Sequence, residues 1–89
     1  MKAILTVIGK DNVGIIAGVS QELSELEINI LDVSQTIMDG YFTMMMMLDI
    51  STTTKAFDEI KSRLAKKGEA LNVKINIQRE EIFNSMHKL

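Results

Sequence analysis

The chain has 89 residues, with ten Lys or Arg against twelve Asp or Glu and a formal net charge of −2. There is no basic excess to capture nucleic acid or an anionic membrane, and the absence of Cys removes disulfides, thiolate metal sites and thiol nucleophiles together. No apolar run approaches the ~20 residues of a membrane-spanning helix, and no signal-peptide pattern opens the chain. The expectation is one cytoplasmic domain over residues 1–89. A chain of this length buries only roughly 60–65% of its unfolded surface, so association with a second copy is expected to help stabilise it.

Lys2 to Ile8 is apolar or β-branched at both parities, with Ala3, Leu5 and Val7 set against Ile4, Thr6 and Ile8. A strand without polar alternation is covered on both faces and belongs in the middle of a sheet. Gly9 to Gly14 breaks the run and reads as a loop, with Asp11 or Asn12 placed to cap a helix. Ile16, Val19, Leu23 and Leu26 then fall on one helical stripe. From Asn29 to Met38 the period changes to two. Leu31, Val33, Gln35 and Ile37 share one face, and Ile30, Asp32, Ser34, Thr36 and Met38 the other. Asp39-Gly40 is the residue pair of a type I′ hairpin turn.

Tyr41 to Ile50 returns as the partner strand. Its two faces, Phe42, Met44, Met46, Leu48 and Ile50 against Tyr41, Thr43, Met45, Met47 and Asp49, are both largely apolar. It is therefore expected to be the second central strand. Ser51 to Thr54 is a polar linker that supplies N-caps. Lys55 to Lys67 is an amphipathic helix burying Phe57, Ile60 and Leu64, with Glu59 and Arg63 paired at i,i+4. Gly68 is expected just past its end, in the left-handed position. Leu71 to Gln78 alternates cleanly, with Leu71, Val73, Ile75 and Ile77 on one face, and reads as an edge strand. Ile82, Phe83, Met86 and Leu89 then recur at helical spacing, which predicts a short terminal helix within Arg79 to Leu89.

Strand, helix, strand, strand, helix, strand is the split βαβ pattern of a ferredoxin-like α+β sandwich, a four-stranded antiparallel sheet with two helices on one face. Right-handed crossovers place the first strand between the third and fourth, with the second at the far edge. The face without helices is left partly bare, with Met45 and Met47 and the parity of Ile4 or Leu5 at its middle. That excess apolar surface calls for a partner or a second copy.

Gly9-x-Asp11-x-x-Gly14 opens the first helix, where backbone N–H groups bind small anions such as carboxylates. Any strand-to-helix turn also uses Gly and Asp. Gly14 and Gly18, four apart, permit close packing of that helix. Asn29 is either a turn residue or a polar group for a ligand. The helix between them returns the chain to the opposite end of the sheet. Within one subunit Asn29 is therefore far from Asp11, and a site using both must form between two subunits. Met44 to Met47 sends alternate sulfurs to opposite faces, so the run packs a core or an interface and cannot converge on copper(I). His87 is the single histidine and has no nucleophile beside it, while Glu80-Glu81 reads as a helix start. An acylphosphatase-type enzyme of the same topology needs an Arg in the first loop, where Lys10 is the sole basic residue. No catalysis, cofactor or metal site is expected.

Gly9-Lys10-Asp11-Asn12-Val13-Gly14-Ile15-Ile16 and Ile28-Asn29-Ile30, with the strand before them and the Asp39-Gly40 hairpin, together resemble an ACT domain. The resemblance covers essentially the whole chain. It is nearest to short stand-alone ACT proteins and similar to the ACT halves of a glycine-cleavage repressor and of formyltetrahydrofolate deformylase. It implies a regulatory homodimer that binds a small molecule, typically an amino acid, between paired domains. The family's Asp/Asn-x-x-Gly element falls on Asp11 and Gly14, and its amide-bearing start of the second strand falls on Asn29. The implied ligand-binding residues are Asp11, Asn12, Val13, Gly14 and Ile15 of one subunit with Asn29 and Ile30 of the other. The ligand carboxylate would lie near the amides of Val13 to Ile16, and its ammonium near Asp11 and Asn29. Asn12-Val13 stands where the family commonly has Arg-Pro, and some ligand-binding members have Asn at the position of Asp11. A ligand-free module that docks a partner protein is the alternative reading; nucleic acid and membrane are not expected partners.

Overall fold

In the computed structural model, which describes residues 1–10 and 12–86, the elements run β1 (Lys2–Lys10), α1 (Ile15–Glu25), β2 (Asn29–Met38), β3 (Tyr41–Asp49), α2 (Phe57–Leu71), β4 (Val73–Arg79) and α3 (Glu80–Met86). Asp11, His87 and Leu89, singled out in the sequence, lie outside the described residues. The strands form one sheet in the order β2-β3-β1-β4, every neighbouring pair antiparallel. This is the ferredoxin-like arrangement. No described helix is long and apolar enough to cross a membrane.

The two strands that are apolar at both parities occupy the centre. Ala3, Leu5 and Val7 of β1 and Phe42, Met44, Met46 and Leu48 of β3 form the floor of the core. Val19, Leu23 and Leu26 at α1 and Ile60 and Leu64 of α2 close it from above. The methionine run alternates as expected: Met44 and Met46 are buried, whereas Met45 and Met47 point to the other face. Asp39 and Gly40 both take positive φ, 52° and 81°, as a type I′ turn requires.

Several expectations are corrected. Helix α1 starts at Ile15, with Gly14 as N-cap at φ 92° and, among the described residues, no side-chain cap. The buried stripe therefore begins with Ile15, and Ile16 is 44% exposed. Asn12 does not cap the helix. In β2, Ile30 pairs with Leu48 but Asp32 pairs with Met47, which leaves Leu31 as the extra residue of a β-bulge. The bulge puts Ile30 on the helix-facing side with Val33 and Ile37, not with Asp32 and Ser34 as strict alternation would have it.

Helix α2 starts later than expected, with Ala56 as N-cap and no side-chain cap. The threonines before it brace the end of α1 instead: the Thr52 and Thr53 hydroxyls donate to the carbonyls of Glu27 and Leu26 at 2.8 and 2.6 Å. The helix also runs through Gly68 to Leu71, and Asn72 at φ 60° takes the left-handed position. Gly68 is needed for a different reason. A Cβ there would lie 2.7 Å from the Val73 carbonyl oxygen, so glycine lets α2 approach β4. Strand β4 accordingly begins at Val73. Arg63 forms ion pairs across to Glu22 and Glu25 of α1, at 2.6 and 3.7 Å, while Glu59 pairs with Lys55. Helix α3 packs against β1 and β4, with Ile82 exposed.

Gly68→Ala is expected to lower stability by about 1–2 kcal/mol, because overpacking against backbone exceeds the ~1 kcal/mol that alanine gains in helix propensity. Urea denaturation measures it; an unchanged or higher midpoint would contradict the close-approach explanation.

Candidate ligand site at the opening of α1 and the start of β2

Lys10, Tyr41 and Met38 are level at one end of the sheet, and Lys2, Asp49 and Asn29 at the other. Eight steps of about 3.3 Å separate these ends, roughly 26 Å. The opening of α1 and Asn29 are therefore far apart within one chain, as the topology required.

At the first end the loop leaves Val13 fully exposed and Gly14 in open space, where an added Cβ would meet nothing within 4 Å. The first internal bond of α1 runs from the Gly18 N–H to the Gly14 carbonyl at 2.8 Å. Among the described residues no side chain caps the N–H groups ahead of it, which sit at the positive end of the helix dipole. Such N–H groups are able to bind a small anion. Ile15 is 2% exposed and belongs to the core, so it can offer a ligand only its N–H. The Asn12 side chain turns to its own chain, donating to the Lys10 and Leu71 carbonyls at 3.2 and 3.3 Å.

At the second end Asn29 is exposed and Ile30 half-buried against the core. Both border an open groove of about 370 Å³ whose polar lining is Ser20, Ser24, Glu27 and Thr52. Sequence reasoning did not single out these four. The available signal is that Ser20 and Ser24 lie one turn apart on the flank of α1. Glu27, at φ 62°, presents a carboxylate that accepts from the Thr54 hydroxyl at 3.2 Å. No Lys or Arg lines the groove, so it favours a cation or a neutral donor over an anion. Asp49 pairs with Asn29 across the ladder. The Ser51 hydroxyl, and then its amide, hold the Asp49 carboxyl below the ordinary 3.8, so this end carries a carboxylate at neutral pH. Among the described residues no group of three or more His, Cys, Asp or Glu could hold a metal ion.

Strand β2 is the remaining feature. Its residues from Leu31 to Met38 are all exposed, including Val33 at 43% and Ile37 at 58% on the helix-facing side. Both faces of this edge strand therefore stand open.

A family model described as "ACT domain" matches residues 2–78. A UPF0237 protein of Listeria monocytogenes serotype 4b (strain F2365) is 78% identical over 89 residues, 100% of both chains. An ACT domain protein from Streptococcus pneumoniae has a TM-score of 0.83 at 51% identity, with 93% of each chain covered. The ligand-free regulatory subunit of aspartate kinase from Thermus thermophilus has a TM-score of 0.67 at 20% identity. That match covers 86% of this chain and 50% of that one, and is a likeness of fold.

Proposed function

The chain belongs to the ACT-domain family, and from that premise we propose that it is a non-catalytic regulatory domain whose homodimer holds a small zwitterion, an amino acid by class, between its subunits. The exposure of β2 over its length carries the reading. An edge strand presents unpaired N–H and C=O groups, and a long apolar edge is one that another chain covers. A two-fold copy offers the same strand in antiparallel sense. The Asn29 end of one β2 then lies at the Met38 end of the other. Met38 is level with Lys10, beside the opening of α1. Two half-sites separated by the length of the sheet in one chain thus become neighbours in the dimer.

The chemistry of the halves is complementary. The N–H groups opening α1 take a carboxylate. Asn29, with Glu27 in the groove beside it, takes an ammonium group. The match suits an α-amino acid and asks for no reactive side chain.

Calorimetric titration with each standard amino acid at millimolar concentration tests this. One amino acid, or a chemically related few, is expected to bind. Asn29→Ala is expected to weaken that binding roughly tenfold or more, the loss of a hydrogen bond to a charged group. Absence of binding to all of them, or an affinity unchanged in Asn29→Ala, would overturn the ligand reading. Exposed Ile8, Tyr41 and Met45 on the face away from the helices favour a second reading, docking of a partner protein without ligand. The same titration separates the two.

A further inference from the structure

We propose that Arg79 centres a second binding site, separate from the one above: a small groove beside the start of α2 that takes a carboxylate carried on a short apolar body. Neither Asn29 nor the opening of α1 lines this groove, so it stands independently of the amino-acid reading.

Arg79 is the last residue of β4. It is level with Ala3 of β1 and shares the parity of Ile77 and Val73, so its side chain leaves the sheet on the helix-facing side, at the end of the core. The ring of Phe57, the first residue of α2, covers one face of the guanidinium, with Arg79 Cζ 4.5 Å from the ring centroid. That contact uses the flat face of the cation and leaves the N–H donors around its edge unused. Arg63, the other arginine of the chain, has the carboxylates of Glu22 and Glu25. Among the described residues Arg79 has no carboxylate within ion-pair distance, and its Nε is buried with no acceptor. Buried polar atoms are almost always paired, so an orphaned charged donor marks a place where an acceptor remains to be supplied.

The groove that Arg79 lines has a volume of about 170 Å³ and is shared with Ile50, Thr53, Lys55, Phe57 and Ile60. No Asp or Glu is among its described lining residues. The Thr53 hydroxyl already donates to the Leu26 carbonyl and accepts from the Lys55 amide. The side-chain donors left for a ligand are the guanidinium and the Lys55 ammonium. Lys55 is shared with Glu59 at 3.8 Å, and Glu80 and Glu81 line the neighbouring cleft on the other side of Arg79. One guanidinium charge among these carboxylates favours a monoanion over a dianion. The planar fork of a guanidinium matches a carboxylate through two parallel N–H···O bonds. Ile50, Phe57 and Ile60 supply apolar walls for a hydrocarbon body. The volume is below the ~300–1,000 Å³ of pockets for drug-sized ligands, which limits that body to a few carbons.

Isobutyrate is the probe. Titrated into the ¹⁵N-labelled wild-type chain at constant ionic strength, it is expected to shift the Arg79 Nε–H resonance and the Phe57 amide saturably at millimolar concentration. Arg79→Lys keeps the charge without the fork and is expected to bind roughly tenfold or more weakly. Asn29→Ala is expected to bind isobutyrate as the wild type does, so loss of the amino-acid site leaves this one intact. An absent or unsaturable response at Arg79 Nε overturns the proposal, and this reading needs no variant to fold. Equal affinity in Arg79→Lys also overturns it. Weaker binding in Asn29→Ala would contradict the separation of the two sites, and inorganic phosphate binding more tightly than isobutyrate would contradict the choice of a carboxylate.

Discussion

Alanine at Met44 or Met46 is expected to lower stability by about 2–4 kcal/mol, whereas alanine at Met45 or Met47 lowers it by about 1 kcal/mol or less. Four consecutive identical residues should therefore give an alternating response. Met44 and Met46 are 0% and 1% exposed on the floor of the core, and truncating either leaves a cavity under both helices. Met45, 45% exposed, lies on the opposite face. An 89-residue domain has roughly 4–13 kcal/mol in all, so the inner variants give up a large part of it. Urea denaturation of the four single variants decides. Equal losses, or larger losses at Met45 and Met47, would contradict the placement of β3.

Lysine at both Val33 and Ile37 is expected to raise the dimer dissociation constant roughly a hundredfold while leaving each chain folded. Both side chains are substantially exposed in the single chain, so the charge has little core to disturb. Across a two-fold axis at the middle of β2 the Val33→Lys side chain lies close to its own copy, and like charges brought together at an interface cost several kcal/mol. Edge-strand lysines are also a common natural block to strand pairing. Ile8→Lys is the control, because Ile8 lies on the sheet face away from the helices. If Ile8→Lys dissociates the dimer and the β2 variant does not, the outer face is the interface and the shared site is lost.

The features legible in the sequence are those set by local periodicity. Apolar residues at both parities identify β1 and β3 as central, and Asp39-Gly40 identifies the hairpin. Element order then fixes the separation of Asn29 from the opening of α1. What the sequence hid depends on tertiary contact or on backbone. A β-bulge at Leu31 leaves no mark in a period-two pattern. The N-cap positions fall on Gly14 and Ala56, so Asn12 and the threonines before α2 mislead as capping residues. Gly68 reads as a helix stop until β4 is seen passing within contact distance. The hydrogen bond from Asn12 to the Leu71 carbonyl, 59 positions away, is likewise visible only in the folded chain. The groove beside Asn29 was equally hidden, since Ser20, Ser24, Glu27 and Thr52 come from separate segments that only the fold joins.

Sedimentation of the wild-type chain at micromolar concentration tests the shared-site account most directly. The account predicts a species of twice the 10.0 kDa chain mass, further stabilised by whichever amino acid binds. A single species of 10.0 kDa, with or without ligand, would contradict it, because Asn29 and Gly14 of one chain lie at opposite ends of the sheet and cannot enclose a small molecule together.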